Sequence, residues 1–352
     1  MKHFILIIAG LVFGSELNAS ENIDNCPNKH SEMIGGYNAP ARIQLKNGYN
    51  TFLTFTFLYM QALENGLSPA ISNPSGAQYY PNASGSYLNL SRKYKPGFRI
   101  GIGHSFDHDD WDVCAKYTRF YQTSRLNSTA PAGGSLISLW LSTQNQGFSN
   151  SVSSRWNLSM DILDLELGRA AFSSPKLVFR PFFGIRAMWI DQDYLVNYYD
   201  LLSSKVGGVF SSKAISNNVC DSWSVGPRFG FDTEWRLGKG VRLFGDFGAS
   251  LAYSNFDVFH KETNSENTLP SIQIKSDPSN LRPNVGLSLG LGWGDFLKKE
   301  RYHLDFSAGY EIQTFWNQNE MNNLGRFAGF TFGGGGANLS IHGLGMRLKF
   351  EF

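Results

Sequence analysis

The chain has 352 residues, 42% of them hydrophobic and only 17% charged, with a net charge of +2. That balance gives no electrostatic grip on nucleic acid. Beyond residue 13 no apolar run approaches the roughly 20 residues of a membrane helix, so a crossing of lipid has to be made by strands. Aromatic residues reach 14%, and there are 37 glycines. Beside so few charges, this is the composition of a transmembrane β-barrel rather than of an ordinary soluble domain, in which about 25% of residues are charged.

The first predicted element, 1–19, is an export signal. Lys2 supplies the positive start, Phe4 to Phe13 is a short apolar run, and small residues lead to a cleavage site after Ala19. Ile23-Asp24-Asn25 before Cys26 is not a lipoprotein cleavage box. Residues 20–48 are expected to form a periplasmic N-terminal segment, and 49–352 the membrane domain.

Period-2 alternation then recurs along the chain. Tyr49 to Gln61 places Leu53, Phe55, Phe57 and Tyr59 opposite Thr54 and Thr56. Gly97 to Phe106 alternates Phe98, Ile100 and Ile102 with Arg99, Gly101 and Gly103. After a tight turn, Trp111, Val113, Ala115 and Tyr117 alternate with Asp112, Cys114, Lys116 and Thr118. Trp156 to Leu167 changes phase once: Leu158 and Met160 are followed by Leu163, Leu165 and Leu167, which predicts a β-bulge near Ile162. Further segments begin at Leu177, Val225, Val241, Val285 and Leu304. A last one carries Leu344, Met346, Leu348, Phe350 and Phe352.

These are ten predicted strands, joined alternately by short turns and long connections. The expected fold is all-β: a transmembrane antiparallel up-and-down barrel of about ten strands, with short periplasmic turns and long extracellular loops. Twelve would be reached if short strands in the loops, such as Ser135 to Trp140, joined the wall. A soluble β-sandwich shows the same alternation with its faces reversed. Against it stand polar faces rich in Gly and Ser, long loops all on one side, and aromatics at strand ends. Trp111, Trp156, Trp189, Trp223, Trp235, Trp293 and Trp316 are the expected interfacial girdles. The alternating C-terminal strand ending in Phe352 matches the signal expected by the barrel-assembly machinery.

Several blocks resemble the major outer membrane protein-like porin family of Legionella and the chlamydia-related bacteria. They are FLYMQALENGLSPAI (57–71), WNLSMDILDLELGR (156–169), LVFRPFFGIRAMWIDQDY (177–194), VGPRFGFDTEW (225–235), LFGDFGASLAYSNF (243–256) and AGYEIQTFWNQNEM (308–321). Met60 departs from the Trp more usual in the family. The resemblance implies a bacterial outer-membrane β-barrel acting as a channel or an abundant surface protein, and supplies no catalytic residues.

The inner face is expected to carry Arg99, Lys116, Asp161, Arg180, Arg186, Arg228, Asp232, Arg242, Asp246 and Glu311. Such a lining either selects solutes by sign and size or forms a salt-bridge network that fills a narrow bore. Gly101, Gly103, Gly286, Gly290 and Gly292 would leave space beside the wall. The function expected is passive diffusion of small solutes or ions, and the alternative is a non-conducting adhesin or structural barrel acting through its loops. A rim hydrolase would need an Asp–His pair, for which Asp191, Asp193, Asp221, Asp257 and His260 are the candidates. The spacing of His104, Asp107, His108, Asp109 and Asp110 reads as a solvated turn rather than a metal site. Gly333 to Gly336 lacks the Lys-Ser/Thr of a phosphate loop. No metal, cofactor or catalytic residue is expected. The expected partners are outer-membrane lipid, the assembly machinery, and a second copy or a disulfide-linked envelope protein through Cys26, Cys114 or Cys220.

Overall fold

A strand in hydrocarbon must satisfy backbone groups along both edges, and the long strands of this chain do so by closing on one another. The structure is a computed structural model describing residues 41–43, 45, 46, 48–74, 85–106, 111–142, 145, 147–203, 210–265, 272–327 and 336–352. The expected export signal, Cys26, Asp107 to Asp110 and Gly333 to Gly335 lie outside the described residues.

Ten wall strands follow in chain order: β1 (Thr51–Glu64), β2 (Lys95–Ser105), β3 (Trp111–Thr129), β4 (Ser151–Arg169), β5 (Leu177–Ser203), β6 (Phe210–Gly238), β7 (Val241–Asn264), β8 (Ser279–Leu297), β9 (Tyr302–Asn319) and β10 (Ala337–Glu351). Each pairs antiparallel with its neighbours. The ring closes where β1 meets β10, from Phe52 opposite Glu351 to Glu64 opposite Leu339. Thr51 and Phe352 exchange both backbone hydrogen bonds at that seam, at 3.1 and 2.9 Å. The β6–β7 turn needs left-handed backbone at Gly238, Lys239 and Gly240, with φ of 112°, 54° and 78°; two of the three are the residue that adopts it without strain.

Near the short turns the outer face is apolar. Leu287, Leu289 and Leu291 of β8 are each more than half exposed, as a lipid-facing surface requires. Trp111, Trp235 and Trp293 border this band at the short-turn end, and Trp189, Trp223 and Tyr253 at the long-loop end. Towards the loops the arrangement inverts: apolar side chains point inward and polar ones outward. In β4, Leu158, Met160 and Ile162 are at most 3% exposed, while Leu163, Leu165 and Leu167 lie outward beside the next strand's outer residues.

This inversion corrects the bulge expected near Ile162. The register of β4 runs unbroken against both β3 and β5. The phase change therefore marks where apolar side chains pass from the lipid side to the interior. Trp156 follows the same rule. It is buried on the inner face, donating to Gln192 at 3.1 Å, and is not a girdle residue. Met60 is likewise buried inside.

The interior of the long-loop half is a dry core. Leu58, Met60, Phe120, Trp156, Tyr194, Tyr198, Phe256 and Phe315 from the wall pack with Leu67, Ala70, Leu136, Trp140, Leu141, Met321 and Leu324 from segments folded in between the strands. Within those segments, Ala70–Asn73 pairs with Ser135–Ser138, which pairs with Gly147–Ser149. Ser135–Ser138 thus belongs to a plug and does not widen the wall, which stays at ten strands. The helix Met321–Phe327 adds Met321 and Leu324 to the same core.

Candidate functional site

Two layers of the interior carry the chemistry: a charged lumen at the height of the lipid-facing band, and the anchorage of the plug above it. Strand alternation fixes the first. Because outward positions against lipid must be apolar, most charged side chains on these stretches are directed inward.

In the lumen the charges pair. Arg186 holds Asp164 with two bonds of 2.6 and 2.7 Å, and donates to Asn284 at 2.8 Å. Glu166 is fully buried and takes Lys116 at 2.7 Å and Arg228 at 3.2 Å. Arg99 meets Glu311 at 3.0 Å. Arg180 bridges Asp112 and Asp232, and Arg242 bridges Glu234 and Asp305. Lys116, Arg180 and Arg228 surround the ring of Phe182 at 5.9, 5.8 and 5.3 Å. Charges taken out of water are tolerated when they are paired, and each charge named here has an opposite charge within 4.0 Å, around a cavity of about 120 Å³. Such a volume holds several waters. Its lining contains five cations (Arg99, Lys116, Arg186, Arg228, Arg347) and five anions (Asp164, Glu166, Asp232, Asp246, Glu311).

Nine of the ten expected lumen residues lie on this inner face. The exception is Asp161, which points outward. It sits opposite Arg119 and the exposed Trp189 in register, accepts from the Tyr117 hydroxyl at 2.5 Å, and approaches Arg119 at 3.7 Å. With the strand continuous, Asp164 and Glu166 take the inward places, as the alternation of this segment leads one to expect. Of the glycines expected to leave space, Gly286 does so and lines the cavity, while the space beside Gly101, Gly103, Gly290 and Gly292 is filled. A Cβ on Gly103 would meet the Phe52 ring at 2.1 Å, and one on Gly292 the Arg242 guanidinium at 2.8 Å.

The plug is tied to the wall by buried polar groups that the alternating pattern does not reveal. The Tyr194 hydroxyl donates to the Leu67 carbonyl at 2.5 Å and the Tyr198 hydroxyl to that of Pro69 at 2.6 Å. Tyr198 also accepts from the Trp140 backbone N–H at 3.1 Å. Glu262 of β7, 1% exposed, accepts from the Ser142 N–H at 2.6 Å, the Ser142 hydroxyl at 3.0 Å and the Asn145 amide at 2.6 Å. His260 contacts the same carboxylate at 3.0 Å and Asn218 Oδ1 at 2.6 Å. Asn218 in turn donates its amide hydrogens to the Tyr194 carbonyl and to Ser216, so His260 links the Glu262 carboxylate to a polar chain that ends on β5.

The rim residues separate by face. Asp191, Asp221 and Asp257 stand side by side on the outer surface, whereas His260 points inward. No Asp257–His260 pair is formed. Cys114 and Cys220 are free thiols buried on the inner face, where a neighbouring protein does not reach them. Among the described residues no cluster of His, Cys, Asp or Glu has metal-holding geometry.

Three solved structures align with the chain over most of its length. The outer membrane protease OmpT from Escherichia coli aligns with a TM-score of 0.41 and 10% identity, over 87% of this chain and 97% of that one. The Pseudomonas putida toluene transporter TodX gives 0.29 and 10%, over 87% and 91%, and a Pseudomonas aeruginosa FadL homologue 0.28 and 10%, over 86% and 89%. No curated protein sequence matches. Residues 44–352 match the family described as Legionella pneumophila major outer membrane protein precursor. With a closed ten-stranded wall, a lipid-facing band and that match over nearly the whole barrel, the chain belongs to the Legionella major outer membrane protein family and is an outer-membrane β-barrel.

Proposed function

We propose that the protein is a porin-like barrel of narrow bore that lets water and small ions or solutes pass passively when its plug withdraws. The observation that carries this reading is the ring of paired charges around a cavity with room for several waters at the height of the lipid-facing band. A barrel built only as a scaffold could fill that volume with apolar side chains at no electrostatic cost. Ten strands lie nearer the filled than the open end of the size range, so the conductance expected is small. Five cations against five anions make for weak selectivity by sign. The plug packs inside the outer half of the bore, and Glu262 ties its Ser142 and Asn145 to the wall.

Planar-bilayer recording of the refolded protein tests the reading. Wild type should give brief, small openings, and Glu262→Ala, which removes the carboxylate that accepts from the Ser142 N–H, the Ser142 hydroxyl and the Asn145 amide, should raise open time several-fold. Silence from both would favour a structural or adhesive surface barrel. That second reading is supported by the dry core, which stiffens the part of the wall standing above the membrane. We also propose that residues 1–19 are removed on export, which N-terminal sequencing of the mature protein checks.

A further inference from the structure

We propose that the outer face of β2, β3 and β4, just above the lipid-facing band, binds the phosphate groups of an outer-leaflet glycolipid. Going outward along β3, the lipid-side residues change from Val113 and Ala115 through Tyr117 and Tyr121 to Arg125. Arg125 stands directly opposite Arg155 of β4, and both are exposed. Like charges placed opposite one another across a strand pair repel, so an anion between them relieves a strain that the protein alone does not.

Two more cations adjoin the pair. Ser91 is bound to Arg125 from both sides, its N–H donating to the Arg125 carbonyl at 3.2 Å and its hydroxyl accepting from the Arg125 N–H at 3.4 Å. This sets exposed Arg92 and Lys93 beside Arg125. Among the described residues none of Arg92, Lys93, Arg125 and Arg155 forms an ion pair, in contrast to Arg119 lower on β3, which approaches Asp161. The next acid in register, Asp193, faces Asn157 rather than an arginine. Guanidinium groups match phosphate oxygens in a bidentate fork.

The surface beneath points to a lipid rather than free phosphate. Tyr121 is 54% exposed, and Tyr94 stacks on Tyr59 with ring centroids 5.5 Å apart. They lead down to exposed Phe98 and Ile100, a track on which acyl chains lie while the phosphate stays at the arginines. The neighbouring sector of β5 to β7, with Asp191, Asp221 and Asp257, repels phosphate and confines the headgroup to the basic side.

The test uses the refolded full chain in detergent micelles, read by native mass spectrometry. The probes are bisphosphorylated lipid A, the same lipid without phosphates, and inorganic pyrophosphate. Wild type should hold bisphosphorylated lipid A at least about tenfold tighter than the dephosphorylated lipid, since the interfacial cations attract the phosphates. Arg125→Ala/Arg155→Ala should lose that margin, and Arg125→Lys/Arg155→Lys should keep most of it. Arg92→Gln/Lys93→Gln, placed outside the wall strands, should weaken binding severalfold and covers the case in which the first variant does not fold. Equal retention of both lipids by wild type, unchanged binding by the Ala and Gln variants, or capture of pyrophosphate as tightly as lipid A would overturn the proposal. Conductance is not part of this readout, so the channel reading stands or falls separately.

Discussion

Ile162 and Leu163 are consecutive in one unbroken strand, yet Ile162 is 2% exposed inside a dry core and Leu163 lies against lipid beside Tyr117 and Ala187. At this point β4 stops being a membrane strand, with apolar residues outward, and becomes a strand of a water-surrounded barrel, with apolar residues inward. The same inversion occurs in β5 between outward Trp189 and inward Ile190. It sets the outer limit of the hydrocarbon and separates the charged lumen from the plug.

If that limit is placed correctly, an arginine should be costly below it and harmless above it. Leu289→Arg on the lipid face of β8 should destabilise the barrel by about 2–4 kcal/mol. Asn255→Arg, also outward but beyond Tyr253 on β7, should change stability by less than about 0.5 kcal/mol. Guanidinium unfolding in micelles or vesicles separates the two, and equal costs would refute the boundary.

The lumen network predicts an asymmetry between two aspartates of one strand. Asp164→Asn strips the buried partner from Arg186 and should cost about 3 kcal/mol. Asp161→Asn, on the outer face beside exposed Arg119, should cost less than about 1 kcal/mol. Equal midpoints for the two variants in a heat-modifiability assay would contradict the assignment of faces.

The acidic row above the belt makes stability depend on pH. Partial burial, then the neighbours Asp191, Asp193 and Asp257, push the Asp221 carboxyl up to about 6, against roughly 3.9 in an unfolded chain. The folded state therefore takes up this proton first as pH falls. The contribution to stability is complete below about pH 4 and is lost as pH rises through about 6. Asp221→Asn should accordingly be more stable than wild type at pH 8, by roughly 1 kcal/mol after discounting for solvent, and the difference should vanish near pH 4. A difference independent of pH would exclude this origin.

Phe352 forms the β1–β10 seam through its backbone bonds to Thr51, and we propose that with Leu344, Met346, Leu348 and Phe350 it is read by the assembly machinery. Removing Phe352 should sharply lower the amount of protein in the outer membrane while refolding into micelles is largely retained. Normal insertion in cells would rule out the recognition role.

The wall was legible in the amino-acid order because lipid imposes a strict rule on it. Leu287, Leu289 and Leu291 alternate with Gly286, Ser288 and Gly290, and no other environment requires both that alternation and that paucity of charge. The ten strands, their turns and the inward direction of Arg99, Arg186 and Glu311 follow locally from this period of two. The plug does not, because Leu136, Trp140 and Leu141 have no periodicity and Glu262 meets Ser142 across 120 residues of chain. The phase change at Ile162 was visible, but choosing between a bulge and an inverted interior requires knowing what the loops place inside. That depends on long-range packing within the closed barrel, and only the tertiary structure decides it.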